Sequence, residues 1–288
     1  MKFALGVDIG GTMIKLAVVD ENINIVHKIS CESIVGDAAA TVARVSGHIR
    51  EIEKTFTVSS VGVCCPGTIT EADEVYADNL AWHGVPVKRL LEEGLQRQIG
   101  FSNDGAASLL AESRHGALKN LETGCYLTFG TGVGGGFLTN GKPYKGNKNV
   151  SPEPGHMITH AGGRACTCGA HGCFERYASA DALASAAPGY SAKDIADMAR
   201  AGDDKMLGIW REYVSDMSIG IISLMSVFNP RRIALGGGIS EAGGFLLESL
   251  YTELNKNAAY RNYYSDIEVQ LGAFRSSAGV IGAALLAL

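Results

Sequence analysis

The chain has 288 residues, enough for two domains of ordinary size, and 46% of them are hydrophobic, so it can bury a substantial core. Its formal net charge of −5 argues against a nucleic-acid-binding surface as its main property. The N-terminal residues carry no secretory signal, and the most apolar run, 219–228, is too short to cross a bilayer. These features predict a cytoplasmic protein without a membrane segment.

Hydrophobic periodicity predicts strands and helices in two successive cycles. In the first cycle, strands are predicted at 3–8, 13–19, 22–29 and 60–65, and helices at 37–56, 86–98 and 103–118. In the second cycle, strands are predicted at 125–129 and 232–235, a hairpin at 135–142, and helices at 179–187, 191–201, 203–228 and 276–286. No linker of biased composition separates the cycles, so we expect a hinge near 117–122.

A strand followed by a glycine turn occurs three times, in the segments LGVDIGGT, YLTFGTG and IALGGG. In the first segment, the backbone N–H groups of Gly10 and Gly11 can approach phosphate oxygens, and Thr12 adds a hydroxyl donor. Asp8 precedes this turn and can hold Mg²⁺ through water. Taken alone, the motif fits an ordinary turn between two strands equally well. Two such units facing one another across a cleft would contact a nucleotide from both sides.

Two other glycine patterns are better explained without phosphate binding. Residues 130–135 fit the spelling G-x-G-x-x-G, but a dinucleotide site needs a helix after the turn, and a hairpin is predicted there. Residues 136–142 nearly spell a P-loop, but Pro143 stands where the Mg²⁺-binding hydroxyl belongs. Asn140-Gly141 is typical of a hairpin tip.

A cysteine cluster predicts a metal site. His156 is followed by Cys166, Cys168 and Cys173, and three thiolates with one imidazole make a closed tetrahedral zinc site. Because four ligands leave no open position, we expect a structural zinc ion that fixes its loop. The alternative is a set of free buried or redox-active cysteines.

Several polar residues suit the phosphorylation of a sugar. Asn103-Asp104 opens a helix, and Asp104 is either a helix cap or a general base that accepts a proton from a sugar hydroxyl; both roles are compatible. Glu153, His156 and Glu175 bracket the cysteine loop and can bind sugar hydroxyls. The alternative interpretation of these three is that they are solvated loop residues.

Together these motifs resemble the ROK family (repressor, open reading frame, kinase) within the superfamily of actin, hexokinase and the heat-shock chaperone ATPases. The resemblance covers nearly the whole chain. Its most specific part is Glu153-x-Gly155-His156 followed by the run C-x-C-G-x-x-G-C-x-E that ends at Glu175. It implies an α/β, two-lobed actin-like or ribonuclease H-like ATPase fold with a central cleft. The implied lobes are a small one at 1–118 plus 273–288 and a large one at 119–272, which carries the zinc loop.

The resemblance also implies ATP-dependent phosphorylation of a hexose, with glucose first, Asp104 as the base, Mg²⁺ and structural Zn²⁺ as metals, and a homodimer. The implied sugar-binding residues are Gly67, Asn79, Asn103, Glu153, His156 and Glu175. The implied nucleotide-binding residues are Asp8, Gly10, Gly11, Thr12, Thr131, Gly132, Gly236, Gly237 and Gly238.

The alternatives within this resemblance concern the sugar and the class of protein. The acceptor could instead be N-acetylmannosamine, allose, fructose or a β-glucoside, or the chain could be a sugar sensor that does not bind DNA. A repressor of the family carries a DNA-binding helix-turn-helix before its first glycine motif, which begins here at Asp8, so we expect no nucleic-acid partner. Gly105-Ala106 and Ser151-Pro152 replace the family's usual Ala-Asn and Ala-Gly, so the sequence leaves the sugar open.

Overall fold

The structure is a computed structural model that describes residues 2–147 and 150–288. The chain divides into two compact units: the first comprises Met1–His115, Pro143–Pro152 and Ser277–Leu288, and the second comprises Gly116–Lys142 and Glu153–Ser276. The lobes expected from the sequence, 1–118 plus 273–288 and 119–272, have boundaries a few residues from these and assign 143–152 to the large lobe.

Both units combine sheets with helices. The strands are β1 (Phe3–Ile9), β2 (Met13–Val19), β3 (Ile25–Glu32), β4 (Val58–Cys65), β5 (Thr68–Ile69), β6 (Val75–Ala77), β7 (Trp82–Val85), β8 (Gly100–Asn103), β9 (Gly124–Phe129), β10 (Val133–Thr139), β11 (Lys142–Pro143), β12 (Arg232–Gly236) and β13 (Glu268–Leu271). The α-helices are α1 (Ala38–Glu53), α2 (Val87–Leu95), α3 (Asp104–His115), α4 (Glu175–Ala178), α5 (Ala180–Ser185), α6 (Ala192–Arg200), α7 (Asp204–Phe228), α8 (Gly244–Leu254) and α9 (Ala278–Leu285). Short 3-10 helices include Asp78–Leu80, Pro154–His156 and Gly238–Ala242.

The two large sheets have the same strand pattern. The first has the order β3-β2-β1-β4-β8, and the second has the order β11-β10-β9-β12-β13. The central strands β1 and β9 are each antiparallel to the strand that follows, and each is parallel to the next neighbour, β4 or β12. The first and second glycine turns therefore occupy equivalent positions, between β1 and β2 and between β9 and β10.

Helix α9 lies unusually close to the first sheet because three glycines form a row across it. Gly6 on β1 is in register with Gly62 on β4, which is in register with Gly100 on β8. A Cβ on Gly6 would overlap the carbonyl oxygen of Val280, and one on Gly62 would overlap that of Ala283. Because these glycines have no side chains, the backbone of the helix packs directly against the backbone of the sheet. On the opposite face, the apolar side of α1 packs against the buried side chains of β1, β2 and β4, and together they form the main core of this unit.

Long helix α7 dominates the core of the second unit. Its Trp210 is fully buried, stacks on Phe245 at 5.1 Å and donates from Nε1 to Ser249 Oγ at 2.9 Å. Phe129 at the end of β9 packs edge-to-face on Phe174 at 6.1 Å. Phe174 thereby connects the end of this strand to the cysteine loop. Among the described residues, no helix is long and apolar enough to cross a membrane.

Most predicted elements are confirmed, and the differences have local causes. Asn140 and Gly141 have φ angles of 51° and 71°, as the two central residues of a tight hairpin turn require, so the hairpin prediction is correct. Strand β10 follows the second glycine turn where a dinucleotide site would need a helix. The third strand begins at Ile25, three residues later than predicted, because the Asp20 carboxylate accepts the N–H groups of Asn22 and Asn24 and forms a turn.

Candidate functional site

Three candidate residues of the first unit meet at one edge of its sheet. Asp8 is the second-last residue of β1, Gly67 follows β4, and Asp104 follows β8. Strands β1, β4 and β8 are parallel neighbours, so their carboxyl ends lie together. Ligands of open α/β sheets bind at this edge, outside the carboxyl ends of the strands. The structure therefore brings together the predicted base and the predicted magnesium-side carboxylate.

Asp104 is the first residue of α3, and its environment favours the neutral form. Burial, followed by the negative charge of Asp8, raises the pKa of Asp104 from 3.8 to about 6. The N–H of Gly105 donates to its Oδ1 at 2.8 Å, which partly offsets the shift and fixes the orientation of the carboxyl group. A carboxylate with a pKa near neutrality is well matched to accepting a proton from a hydroxyl group.

Asn103 joins the start of α3 to the turn after β4. It is only 6% exposed, its Nδ2 donates to the carbonyl oxygen of Gly67 at 2.9 Å, and its Oδ1 accepts the N–H of Ala106 at 3.1 Å. The last bond is a helix N-cap, so the cap interpretation applies to Asn103. Gly67 has a φ of 86°, and a Cβ there would lie 2.9 Å from the Cα of Ala77, so only glycine fits this turn.

The first glycine turn is held by its neighbours and lies beside Asn79. Gly10 donates to the Met13 carbonyl at 2.9 Å, and Ser33 Oγ donates to the Gly10 carbonyl at 2.6 Å. A Cβ on Gly11 would lie 3.2 Å from Asn79 Nδ2. Thr12 is exposed at the tip of the turn. The predicted phosphate turn and the predicted sugar residue Asn79 are therefore in contact.

The Asp8 carboxylate sits between charged and close-packed neighbours. Burial raises the pKa of Asp8, and the positive charge of Lys15 opposes this shift. A Cβ on Gly279 would lie 2.7 Å from Asp8 Oδ2, so the start of α9 approaches the carboxylate closely. A hard carboxylate oxygen is a suitable partner for hydrated Mg²⁺.

The second unit carries the other two glycine turns. The turn between β9 and β10 is closed by a bond of 3.0 Å from Gly130 N to the Gly132 carbonyl, and Thr131 at its tip is exposed. The turn after β12 contains Gly236, where a Cβ would overlap the Tyr126 hydroxyl. Gly237 has a φ of 77°, and a Cβ there would overlap the carbonyl oxygen of Phe129. Open space surrounds Gly238. Glycine is therefore required by packing at 236 and 237, independently of any nucleotide.

The predicted zinc ligands come together in the second unit. One ligand atom from each of His156, Cys166, Cys168 and Cys173 lies within 4.8 Å of the others. The Cys168 and Cys173 sulfurs are 3.6 Å apart, and Cys166 Sγ is 3.8 Å from His156 Nδ1. Tetrahedral zinc with Zn–S bonds of 2.3 Å would space its sulfurs by about 3.8 Å. The cluster therefore fits a four-coordinate zinc ion.

Glu175 connects this cluster with the second glycine turn. Cys166 Sγ donates to Glu175 Oε1 at 3.0 Å, and His156 Nδ1 is 3.8 Å from the same oxygen. A Cβ on Gly132 would lie 2.8 Å from the other carboxylate oxygen, Oε2. Burial raises the pKa of Cys166 to about 12, so metal binding at this thiol would release its proton. Glu153, which precedes the 3-10 helix of His156, is half-buried.

Contacts that support the cysteine loop were not predicted from the sequence. His160 stacks on Tyr177 with ring centroids 3.8 Å apart, and its Nε2 lies 3.4 Å from Asp216 Oδ1. The Tyr177 hydroxyl accepts the backbone N–H of Arg164 at 2.7 Å. These residues come from the loop, α4 and α7, and no spacing in the sequence relates them. The loop is thus held by polar and aromatic contacts as well as by its predicted metal.

The candidate residues are divided between the units. Asp8, the first glycine turn, Gly67, Asn79, Asn103 and Asp104 belong to the first unit. Thr131, Gly132, Glu153, His156, Glu175, the three cysteines and Gly236–Gly238 belong to the second. Paired sheets of one strand pattern, each with a glycine turn after its central strand, define the class of actin-like ATPase folds. The roles of the individual residues stay predictions.

Comparison with known proteins identifies the family. The ROK family model matches residues 4–288, and this chain therefore belongs to the ROK family. The glucokinase of Streptomyces coelicolor is 31% identical over 319 residues, covering all of this chain and 98% of that protein.

A solved structure and a second relative extend this comparison. A ROK family glucokinase from Streptomyces griseus, solved in complex with glucose and AMPPNP, superimposes with a TM-score of 0.90 at 29% identity and covers 99% of each chain. The xylose repressor of Bacillus spizizenii is 29% identical over 208 residues, covering 70% of this chain and 54% of that protein. The relatives of this chain therefore include kinases as well as a repressor.

Proposed function

We propose that this chain is an ATP-dependent hexose kinase, with glucose as the first acceptor to test and Asp104 as the general base. The observation that carries the proposal is the Asp104 carboxyl group, held at the carboxyl edge of the first sheet with a pKa of about 6. The pKa of a solvated carboxylate at the start of a helix would not be raised in this way. Similarity to glucokinases, one of them solved with glucose and AMPPNP, supports this reaction and favours glucose.

In the proposed reaction, a sugar hydroxyl attacks the γ-phosphorus of ATP. The hydroxyl proton passes to a carboxylate oxygen of Asp104, the new O–P bond forms, and the bond to the β-phosphate oxygen breaks with release of ADP. The residues proposed to bind the sugar are Asn79, Asn103, Glu153, His156 and Glu175. Their amide, carboxylate and imidazole groups suit vicinal hydroxyls.

The glycine turns would bind the nucleotide through backbone N–H groups, and Asp8 would hold Mg²⁺ through water. When bound, Mg²⁺ neutralises phosphate charge as it develops in the transition state. Support for this assignment comes from the exposed tips of the first two turns at Thr12 and Thr131, and from the open space around Gly238.

We also propose a structural zinc ion at His156, Cys166, Cys168 and Cys173. Its role would be to fix the loop and so the orientation of Glu175, which contacts both Cys166 and the second glycine turn. A cytoplasmic location, where thiols stay reduced and ATP is available, and a homodimer complete the proposal. Light scattering would test the dimer.

The function is tested by a coupled assay of ADP release over a panel of hexoses and amino-hexoses. We expect release with glucose, and a fall of about 10²- to 10⁴-fold in kcat for Asp104→Asn with little change in binding. Asp266→Asn, an exposed carboxylate on the other unit, is the matched control and should behave as wild type. Release with another sugar alone would reassign the acceptor, and no sugar-dependent release at all would refute the kinase.

A further inference from the structure

Lys15 and Cys64 lie on either side of Asp8 in one row across the first sheet. Asp8 on β1 is the register partner of Lys15 on β2 and of Cys64 on β4. Cys64 is in turn the partner of Ser102 on β8. Residues in register across neighbouring strands project from the same face of a sheet. The Asp8 side chain is therefore flanked by an ammonium group on one side and a thiol on the other.

The thiol of Cys64 is placed to contact the carboxylate. Its Sγ lies 3.6 Å from Asp8 Oδ1 and 3.6 Å from the carbonyl oxygen of Gly279, and the residue is fully buried. Burial, followed by the charges of Asp8 and Asp104, raises the pKa of Cys64 well above its ordinary value, so the group remains a thiol and keeps its proton for donation. Because it is buried, it is not available as a nucleophile.

The carboxylate is enclosed on its second oxygen as well. The space beside Asp8 Oδ2 is so narrow that a Cβ on Gly279 would lie 2.7 Å from it. One oxygen thus faces a donor and the other faces the first turn of α9. Small rotations of this carboxylate are therefore resisted from two directions.

We propose that Cys64 is a positioning residue, which donates its S–H to Asp8 Oδ1 and holds that carboxylate in the orientation that receives hydrated Mg²⁺ with the nucleotide. This inference rests on the proposed function. It assigns a role to a side chain that the reaction itself does not use.

The neighbouring cysteine offers a matched control. Cys65 is also fully buried, but it alternates to the other face of β4 and packs in the core with the apolar residues of β1 and α1. Replacing either cysteine by alanine removes one sulfur atom from a closed interior. The two substitutions should therefore cost similar packing, while only the one at Cys64 removes a donor to Asp8.

The experiment compares Cys64→Ala, Cys64→Ser and Cys65→Ala with the wild type. Affinity for AMPPNP is measured calorimetrically over a series of Mg²⁺ concentrations, and KM for ATP and kcat are measured beside it. We expect Cys64→Ala to weaken Mg²⁺-dependent AMPPNP binding by about 5-fold, as the loss of a weak bond to a charged group predicts. We expect Cys65→Ala to stay within about twofold of wild type, and Cys64→Ser, which keeps a donor, to lie closer to wild type than Cys64→Ala.

Two results would overturn the inference. Equal binding by Cys64→Ala and Cys65→Ala would mean that Cys64 only fills space. Equal impairment of Cys64→Ser and Cys64→Ala would mean that the donated hydrogen is irrelevant. If Cys64→Ala does not fold, Cys64→Ser is compared with wild type instead, and AMPPNP binding by Cys64→Ser as weak as that expected for the alanine variant would overturn the inference. A wild type without sugar-dependent ADP release would refute the proposed function separately, because AMPPNP binding still reports on Cys64.

Discussion

At the scale of single residues, Asp104 combines two effects of burial. The helix start and the Gly105 N–H fix its carboxyl group in place, while removal from water and the Asp8 charge make its ionised form costly. A residue prepared in this way can take up a proton near neutral pH, but the folded protein bears the cost whenever the group is ionised. Both consequences can be measured.

The first consequence is an acidic limb in the pH dependence of the reaction. The proposed base must be ionised in the free enzyme, so kcat/KM should be constant above pH 7 and fall about tenfold per pH unit below the Asp104 pKa of about 6. Steady-state assays between pH 4.5 and 8.5 at saturating Mg²⁺ would show this limb. A profile that stays flat to pH 5 would point to a different base.

The second consequence concerns stability. The folded-state pKa of about 6 is above the ordinary value of 3.8, so between these values the folded state binds the proton more tightly than the unfolded state. The contribution of Asp104 to stability is therefore greatest below about pH 4, falls as pH rises through the window to about 6, and stays lower above it. Asparagine cannot ionise, so Asp104→Asn should be more stable than wild type at pH 7.5, by on the order of 2 kcal/mol.

Urea unfolding at pH 7.5 and pH 5 would test this, with no nucleotide or Mg²⁺ present. The advantage of the asparagine variant should shrink at pH 5, because there the aspartic acid of the wild type is itself largely protonated. The same advantage at both pH values would show that its origin is not the ionisation of Asp104.

At the scale of the elements, the cysteine loop shows how much of its path depends on glycine. Gly169 and Gly172 both have φ angles in the left-handed region, 88° and 82°. They differ in their surroundings, because open space surrounds Gly169, whereas a Cβ on Gly172 would overlap the carbonyl oxygen of His160. The pair separates backbone strain from steric exclusion within one loop.

We predict that Gly172→Ala loses the loop structure and its zinc, whereas Gly169→Ala keeps both at a cost of about 1–2 kcal/mol for the left-handed backbone. Zinc content by elemental analysis and glucose affinity by calorimetry are the measurements, with Cys168→Ser as the variant that lacks a ligand. Normal zinc content in Gly172→Ala would show that the loop can yield at this point. Full sugar affinity in a zinc-free protein would remove the structural role of the metal.

Sequence reasoning succeeded where the chemistry is local and failed where it depends on distant parts of the chain. The Asn140-Gly141 hairpin follows from two adjacent residues, and it is confirmed. Helix α8 was missed because it begins at two glycines, which are typical of a loop, and β13 because four residues carry little periodicity. The spacing of the cysteine cluster was informative, but the contact of Glu175 with Gly132 requires coordinates.

The candidate site shows the same limit. The residue types and spacing of Asn103 and Asp104 suggested a cap and a base. However, the cap on Ala106 and the pKa of Asp104 follow from burial, which a single sequence does not reveal. The role of Gly6 and Gly62 was equally hidden, because their partner helix follows them by more than two hundred residues.

At the scale of the whole molecule, the row of glycines under α9 decides whether this helix can pack directly on the first sheet. A methyl group on Gly62 would overlap the Ala283 backbone, which has no flexible side chain to move aside. We therefore predict that Gly62→Ala destabilises the protein by about 1–3 kcal/mol through overpacking. Gly47 lies exposed within α1 with open space around it, so Gly47→Ala should instead stabilise by about 0.5–1 kcal/mol.

Thermal unfolding of the two variants should thus shift in opposite directions from wild type. A neutral result for Gly62→Ala would mean that α9 can move outwards without loss. In that case the narrow space beside Asp8, which depends on the same helix, would widen as well.

The position of α9 also has a consequence for how the protein is made. A ribosome delivers β1 to β8 first, then nearly all of the second unit, and only afterwards the helix that covers the glycine row. During synthesis, one face of the first sheet therefore remains uncovered while the second unit can already fold. Asp8 acquires its enclosing wall last, so the emerging chain is expected to gain the ability to bind nucleotide only once α9 has left the ribosomal tunnel.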